Sequence, residues 1–292
     1  MRATWPRARP LPLKSSVSPR REPCPSCCRC ATIGGSPFWT QPYGEPEWVT
    51  IPRGAFSMGE GGIAHQVHLD EYAISRVPIS NAQYAFFVQA TGREQPREWT
   101  SQRPPRAKEG HPVVRVTWHD ALAYCRWLSE ATGKPVTLPS EAEWEKAARG
   151  ADDARAYPWG DVFDAARCNV GESMFWDKTP VGMFLQGASP YGCLDMAGNV
   201  WEWTRSLLGE DIIHPRFAYP YDPADPMRER LDAANDIRRI VRGGSAYDGR
   251  DYARCAYRDW LQPDLRSNDL GFRIVLRSAP VSSALYSVDS EL

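Results

Sequence analysis

The chain has 292 residues, and its 35 basic and 36 acidic side chains leave almost no net charge at neutral pH. This balance excludes a nucleic-acid partner held by bulk positive charge, and no apolar run approaches the roughly 20 residues that span a bilayer, so no membrane partner is expected. Twelve tryptophans, 12 tyrosines and 26 prolines predict a soluble protein that buries large rings and spends much of its length in turns.

Residues 1–42 are predicted to be a leader separate from the folded domain, because Arg, Pro and Ser dominate there without helical or strand periodicity. The segment lacks the apolar core of a secretory signal, which favours a cytoplasmic location with reduced thiols. Cys24, Cys27, Cys28 and Cys30 could together bind a metal ion. No second CxxC pair follows them, however, and a flexible leader or a mistaken start codon is the plainer interpretation.

The folded domain is predicted to cover residues 43–278, with a short tail at 279–292. It opens with two short strands between Trp48 and Phe56, followed by a third strand from His65 to Asp70. His65 and His68 would lie on opposite faces of that strand, so the pattern disfavours a two-histidine metal site and favours surface histidines.

Three helices are predicted next, each with a Ser or Thr cap and a terminal glycine. They run from Ser80 to Gly92, from Thr117 to Gly133 and from Ser140 to Gly150. In the first turn of the second helix, Asp120 is best explained as a charge that stabilises the helix terminus, whereas His119 could be catalytic.

The segment YGCLDMAGNVWEWT, from Tyr191 to Thr204, contains two turn signals and then a strand. Trp201 and Trp203 would share one face of the strand, and Glu202 would lie on the other. Carboxylates beside turn carbonyls are the hard oxygen ligands that calcium prefers, so we predict a structural calcium site. Its predicted ligands are Asp195, Gly198, Val200 and Glu202.

From Tyr157 to Leu276 the chain is predicted to form short extended pieces joined by turns, which in a compact domain is typical of functional or ion-binding segments. It has no GxGxxG, P-loop, HExxH or GxSxG motif, so nucleotide, zinc-protease and hydrolase functions lose their main support. Cys125, Cys168, Cys193 and Cys255 could be buried thiols or could pair in an oxidising compartment.

The ordered motifs resemble those of the formylglycine-generating enzyme (sulfatase-modifying factor) family. They are HPVVRVTWHDALAYCRWLSEATGKPVTLPSEAEWEKAARG, YPWG, YGCLDMAGNVWEWT, VRGGS and LGFRIVL, spread between about Glu47 and Leu276. The resemblance implies an α+β domain with a C-type-lectin-like fold and sparse secondary structure. It also implies calcium at the four ligands named above, and a second calcium site that begins at Asn169 and Val170, whose other ligands fall where this chain is shorter.

Active members of that family oxidise a substrate cysteine with O2 and a copper ion held by two thiolates. The resemblance maps those thiols three and eight residues after Ser245, where this chain has Asp248 and Ala253. Aspartate is a hard ligand and alanine offers none, so copper is not expected. The related sulfoxide synthases hold iron through an added helical domain, and the leader is too short to supply one.

Residues 246–270 also resemble the variable region of target proteins of diversity-generating retroelements. Aromatic and short polar side chains of this kind form adaptable contact surfaces. The candidate ligand-binding residues are Tyr247, Asp248, Arg250, Asp251, Tyr252, Tyr257, Asp259, Trp260, Asn268 and Asp269. Arg266 and Arg273 are expected to tie the frame of this segment to buried acids.

Two hypotheses follow, beside the plainer interpretation that residues 246–270 are merely polar surface loops. The first is a non-oxidase binding module, stabilised by calcium, that presents this possibly diversified segment to a protein or another macromolecule. The alternative is a metal-dependent oxidoreductase of the same family with an altered active site, in which Cys255, His119 or Tyr257 lies near a metal ion.

Overall fold

The computed structural model describes residues 39–40 and 44–277. Most of the predicted leader, with its four clustered cysteines, and the whole predicted tail lie outside the described residues. Strand β1 (Trp39–Thr40) falls inside the segment predicted to be leader, and it pairs with β2 (Glu45–Pro46) in antiparallel fashion. Regular structure therefore includes residues slightly earlier in the chain than the composition predicts.

The three predicted helices are confirmed as α1 (Asn81–Thr91), α2 (Trp118–Thr132) and α3 (Glu141–Arg149). Each has a capping box. The hydroxyl of the capping Ser or Thr accepts from the backbone N–H of the third helical residue, and the side chain of that third residue accepts from the backbone N–H of the cap. The glycines after α1 and α2 have φ of 68° and 69°, a left-handed conformation that costs glycine little.

The described residues form ten further strands, all but β8 of five residues or fewer, and three of them confirm the strands predicted between residues 48 and 70. They are β3 (Trp48–Ile51), β4 (Gly54–Met58), β5 (His65–Leu69), β6 (Tyr72–Ser75), β7 (Val136–Thr137), β8 (Trp201–Gly209), β9 (Arg238–Arg242), β10 (Asp259–Leu261), β11 (Leu270–Phe272) and β12 (Val275–Arg277). Helices and short, mostly antiparallel strands confirm the predicted α+β class.

Two four-stranded sheets position the later part of the chain. One has the order β10-β9-β8-β11 and the other β3-β6-β12-β7, while β4 and β5 form a separate hairpin. Strand β11 runs parallel to β8, with Leu270 opposite Trp201 and Gly271 opposite Glu202. Because β11 and β12 follow each other closely, the short stretch between them connects the two larger sheets.

The two histidines of β5 have different partners, as their predicted positions on opposite faces require. His65 Nε2 accepts from the backbone N–H of Tyr221 at 2.7 Å, and His68 Nε2 accepts from Arg53 Nε at 3.4 Å. His68 is exposed and His65 is half-buried.

Strand β8 is buried along all nine residues, so both of its faces are packed, including the one that carries Glu202. Glu202 is fully buried and accepts from Arg273 Nε at 2.6 Å, from Arg273 Nη2 at 2.8 Å and from Trp144 Nε1 at 2.7 Å. The expectation that Arg273 ties the frame to a buried acid is therefore confirmed. Arg266 does the same for Asp120, with 2.8 Å between Nη1 and Oδ2.

The cysteines of the described part, Cys125, Cys168, Cys193 and Cys255, are all buried, and none forms a disulfide. Cys125 packs in the largest hydrophobic cluster with the rings of α1 and α2, as its place in an apolar stripe predicts. Among the described residues, no helix combines the length and the apolar character that crossing a bilayer requires.

We predict that replacing Arg273 with methionine will lower the free energy of unfolding by about 3–5 kcal/mol, because Glu202 would remain buried without its partner. The matched variant Arg266→Met removes a guanidinium that is 40% exposed, and it should cost less than about 1 kcal/mol. Urea denaturation measures both changes. Equal losses in the two variants would contradict a special role for the buried pair.

Candidate functional site

The segment that follows β9 begins at two glycines that fold the chain back on itself. Gly243 and Gly244 have φ of 102° and 71°, and a Cβ on Gly244 would lie 3.0 Å from the backbone of Tyr252. A side chain at Gly244 would therefore be strained in conformation and would also meet the loop. The turn positions residues 245–258 over the start of β8.

Three aromatic rings meet at this position, and we call Trp201, Tyr252 and Tyr257 the aromatic cluster. The ring centroids of Tyr252 and Tyr257 are 4.9 Å apart. The Trp201 ring centroid lies 6.4 Å from that of Tyr252 and 6.0 Å from that of Tyr257. Trp201 is only 7% exposed, whereas Tyr252 is 41% exposed. The cluster thus connects the core to the surface. The sequence pattern assigned Trp201 only to the core.

Asp248 fixes the edge of the aromatic cluster. Its Oδ2 accepts from Trp201 Nε1 at 2.8 Å, and from the backbone N–H and the hydroxyl of Ser245 at 3.0 Å and 2.6 Å. Oδ2 therefore belongs to the framework of the site. Burial, with the nearby charge of Asp248 as a smaller cause, raises the pKa of the Asp259 carboxyl. The pKa of Tyr257 is also raised, by burial and then by Asp259.

Tyr247 and Arg250 lie on the other side of the loop, against residues 171–178. The backbone N–H of Gly171 donates to the carbonyl of Asp248 at 2.8 Å, and the backbone N–H of Arg250 lies 3.1 Å from both carboxylate oxygens of Glu172. Lys178 Nζ lies 3.5 Å from the hydroxyl of Tyr247. The predicted binding surface is therefore held by two separate groups of contacts, one at Trp201 and one at residues 171–178.

The remaining predicted ligand-binding residues are spread over a wider area. Asp251 is exposed and pairs with Arg254 at 3.2 Å, and Trp260 is half-buried on β10. The backbone carbonyl of Asp269 accepts from the N–H of Trp201 at 2.8 Å, while Asn268 beside it is exposed. The aromatic cluster, Asp248 and Asp259 come together, and Tyr247 and Arg250 form a second group.

An exposed apolar loop that sequence reasoning missed leads directly into Lys178. Met174 and Trp176 have φ of 62° and 55°, which is uncommon for residues other than glycine, and Trp176 is 60% exposed. The exposed apolar side chains here are Met174, Phe175, Trp176, Met183 and Leu185. The run SMFW in a turn-rich stretch was the available signal, since such residues are normally buried.

The positions that the resemblance assigns to copper thiolates have other roles in this chain. Ala253 is fully buried, and Asp248 holds Trp201. Cys255 is also fully buried, and burial raises the pKa of its thiol to about 12, so it is protonated at neutral pH. His119 Nε2 contacts Asn235 Oδ1 at 2.9 Å, and burial lowers the pKa of its imidazole.

The two segments predicted to bind calcium lie side by side. The N–H of Asn199 donates to the carbonyl of Asn169 at 2.7 Å, and a Cβ on Gly198 would lie 2.1 Å from that same carbonyl oxygen. Asn169 is buried, and its Nδ2 donates to the carbonyl of Asp177 at 2.9 Å. Its Oδ1 has no hydrogen-bond partner among the described residues. A buried oxygen acceptor of this kind fits a hard cation.

The other predicted ligands are partly satisfied within the protein. Both oxygens of Glu202 accept from Arg273, and the carbonyl of Asp195 also accepts from Arg273 at 3.3 Å. Asp195 Oδ2 accepts from the N–H of Gly182 at 2.6 Å, and burial raises the pKa of that carboxyl to about 6. Residues 44–277 contain no group of three or more His, Cys, Asp or Glu side chains arranged to hold a metal ion. Of the two segments, the one at Asn169 fits calcium better.

A family model of the sulfatase-modifying factor enzyme 1-like domain matches residues 38–278. The serine/threonine-protein kinase pkn1 of Chlamydia pneumoniae is 32% identical over 250 residues, which cover 78% of this chain and 37% of the kinase. This chain thus spans little more than a third of that relative's length. The formylglycine-generating enzyme of Mycobacterium tuberculosis is 32% identical over 309 residues, which cover 81% of this chain and 99% of that enzyme.

Among solved structures, variable protein 1 of Treponema denticola superposes with a TM-score of 0.62 at 22% identity, covering 81% of this chain and 98% of that chain. At this level of identity the similarity concerns the fold alone. Together with the family match, it confirms the predicted α+β, C-type-lectin-like scaffold.

We predict that Asp248→Ala will lower the free energy of unfolding by about 1–3 kcal/mol, because Trp201 Nε1 and the donors of Ser245 lose their acceptor. The control Asp251→Ala removes a carboxylate that is 74% exposed, and it should change stability by less than about 0.5 kcal/mol. Chemical denaturation followed by tryptophan fluorescence measures both. A neutral Asp248→Ala variant would show that the hydrogen bonds of this carboxylate do not hold the cluster.

Proposed function

This chain belongs to the family of sulfatase-modifying factor enzyme 1-like domains, and we propose that it is a non-oxidase binding module of that family. Its scaffold presents residues 246–270 to a protein or another macromolecule. The observation that carries the proposal is the replacement of the two copper-binding thiols by Asp248 and Ala253, within a loop that is otherwise fully built.

The chemistry of these two residues argues against a copper oxidase. A copper site of the family's kind needs two soft thiolate ligands, and neither a carboxylate nor a methyl group replaces them. Asp248 Oδ2 already accepts three hydrogen bonds, from Trp201 and Ser245. The nearest cysteine in the sequence, Cys255, is a buried and protonated thiol.

The exposed side chains of the loop support a binding role. Tyr247 and Tyr252 are 40% and 41% exposed, and Arg250 and Asp251 beside them are exposed as well. Tyrosine offers large contact area with little loss of side-chain entropy, and arginine adds directional hydrogen bonds. The apolar loop at 174–176 extends this surface, and contiguous exposed apolar groups commonly mark interaction sites.

The alternative function is a metal-dependent oxidoreductase with an altered centre, and the similarity to the formylglycine-generating enzyme of Mycobacterium tuberculosis favours it. The three residues suggested for such a centre have separate surroundings. His119 contacts Asn235, Cys255 packs in the hydrophobic cluster of Trp144, and Tyr257 belongs to the aromatic cluster. The binding role therefore has the stronger support.

Calcium is the proposed structural ion of the module, with Asn169 and Val170 as its best-supported ligands. The unpartnered Oδ1 of Asn169 supports this assignment. Because Gly171 donates to the carbonyl of Asp248, an ion bound at Asn169 and Val170 would also stabilise the loop that forms the binding surface. The four cysteine thiols in the described part of the chain are buried and form no disulfide, which fits a reducing compartment, and we propose a cytoplasmic location.

Selection from a random peptide library displayed on phage tests the binding surface. We expect the enriched peptides to lose about tenfold in affinity for Tyr252→Ala, since a central aromatic contact is worth about 1–2 kcal/mol. The control Ile213→Ala removes a side chain that is 77% exposed elsewhere on the protein, and it should bind like the unaltered chain. Isothermal titration calorimetry measures the affinities.

Peptides that bind Tyr252→Ala as tightly as the unaltered protein would argue against this surface. Oxygen uptake would favour the alternative enzyme. In that test the protein is first loaded with Cu(I) without oxygen, and O2 consumption is then measured after O2 and a cysteine peptide are added.

Calcium at 100 times its dissociation constant should stabilise the chelator-treated protein by about 2.7 kcal/mol. The thermal unfolding midpoint should rise accordingly. In Asn169→Ala the midpoint should no longer respond to calcium, whereas Asn268→Ala, at an exposed position, should respond fully. Differential scanning calorimetry measures the shift. An unchanged midpoint after verified metal removal would refute the calcium proposal.

A further inference from the structure

A cavity of about 380 Å³ lies beside the middle of β8. Arg205, which lines it, is four residues along the strand from Trp201, or about 13 Å at the usual strand rise. Its lining residues include Tyr72, Thr137, Glu143, Arg205, Tyr221 and Glu229. None of them belongs to the predicted binding surface or to the predicted calcium segments.

The floor of the cavity is a buried ion pair. Arg205 Nη1 and Nη2 donate to the two carboxylate oxygens of Glu143 at 2.6 Å and 3.0 Å, and each side chain is only 7% exposed. The guanidinium lowers the pKa of Glu143 against the effect of burial, so the pair is charged. Arg277, at the rim, lies 3.9 Å from the same carboxylate.

Two oxygen atoms in the lining lack hydrogen-bond partners. Glu229 Oε1 accepts from Ser206 Oγ at 2.6 Å and from the hydroxyl of Tyr221 at 2.8 Å, but Oε2 accepts no hydrogen bond. Its nearest charged neighbour is Arg205 Nε at 3.4 Å. Thr137 is 2% exposed, and its Oγ1 has no partner either. Buried polar atoms are normally hydrogen-bonded, so the carboxylate oxygen calls for a donor and the hydroxyl for a partner that donates or accepts.

The charged side chains around the cavity indicate which charge the missing partner carries. The lining contains five carboxylates, Asp70, Glu71, Glu143, Asp225 and Glu229, against the guanidiniums of Arg205 and Arg277 and the imidazole of His68. Arg53, outside the lining, lies 3.6 Å from Asp70, and the carboxylates still outnumber the cations. An anion would meet this excess of negative charge, and an apolar ligand would leave Thr137 Oγ1 without a hydrogen-bond partner and Glu229 Oε2 with only its ion pair to Arg205. A cation satisfies both conditions.

We propose that this cavity binds a small organic cation whose ammonium or guanidinium group donates to Glu229 Oε2 and Thr137 Oγ1. The side chains of Leu69, Tyr221 and Leu231 give the ligand's carbon chain an apolar wall. The volume lies within the range of small-molecule sites. The site is separate from the proposed macromolecular surface and adds a second, independent binding activity.

Titration calorimetry with matched four-carbon probes tests the proposal on the full chain. Butylammonium and butylguanidinium should bind, whereas 1-butanol and butyrate, which have the same carbon chain without the cation, should not. Equal binding of butanol, preferential binding of butyrate, or no heat from either cation at millimolar concentration would overturn the proposal and leave only a water-filled cavity.

Two substitutions locate the binding. Glu229→Gln keeps the shape of the side chain but removes its charge, and it should weaken butylammonium binding at least tenfold. Thr137→Val leaves every charge in place and should weaken binding several-fold, so it tests the site even if Glu229→Gln folds poorly. Asp222→Asn removes a carboxylate at an exposed position outside the cavity, and it should have no effect.

Equal affinity in Glu229→Gln and in the unaltered protein would place the cation elsewhere and refute the assignment. Tyr252→Ala, which should impair peptide binding, is expected to bind butylammonium normally. The two proposals can therefore be tested independently of each other.

Discussion

The buried contact between Arg273 and Glu202 organises this domain. Arg273 follows β11, Glu202 lies on β8, and Trp144 of α3 donates to the same carboxylate. The guanidinium also donates to the carbonyls of Ser75 and Leu194, so the ion pair as a whole connects both large sheets, a helix and an irregular turn. Because much of the described chain is irregular, such a contact joins segments that strand hydrogen bonds do not connect. The start of β8 is thereby fixed, and with it Trp201.

Local sequence signals predicted much of this fold. The three helices carry their boundaries in their own residues, since a capping hydroxyl and a terminal glycine act within one turn. The alternation of β5 likewise placed His68 on the surface as predicted, whereas His65 is half-buried. Arg273 and Arg266 were expected to meet buried acids, and both do.

Long-range contacts account for what the sequence did not predict. Trp201 alternates with Glu202 like any core tryptophan, and only the return of the loop at Tyr252 makes it part of a surface cluster. Both faces of β8 are buried because α3 packs Trp144 against the Glu202 face, which strand periodicity alone does not reveal. The cavity at Glu229 joins segments about 90 residues apart in the chain, Thr137 and Glu229 among them, so no local motif could have indicated it.

Three of the hydrogen bonds that hold the loop after Gly244 to its neighbours join main-chain atoms on both sides. Gly171 donates to the carbonyl of Asp248, Ala246 donates to the carbonyl of Asn199, and Cys255 donates to that of Ala156. Such bonds are indifferent to side-chain identity, so this part of the loop's support does not depend on which residues stand at Tyr247 or Tyr252. Under the proposed binding function, single substitutions at these two positions would change recognition while these main-chain bonds are kept, which would make the surface evolvable at little cost in stability.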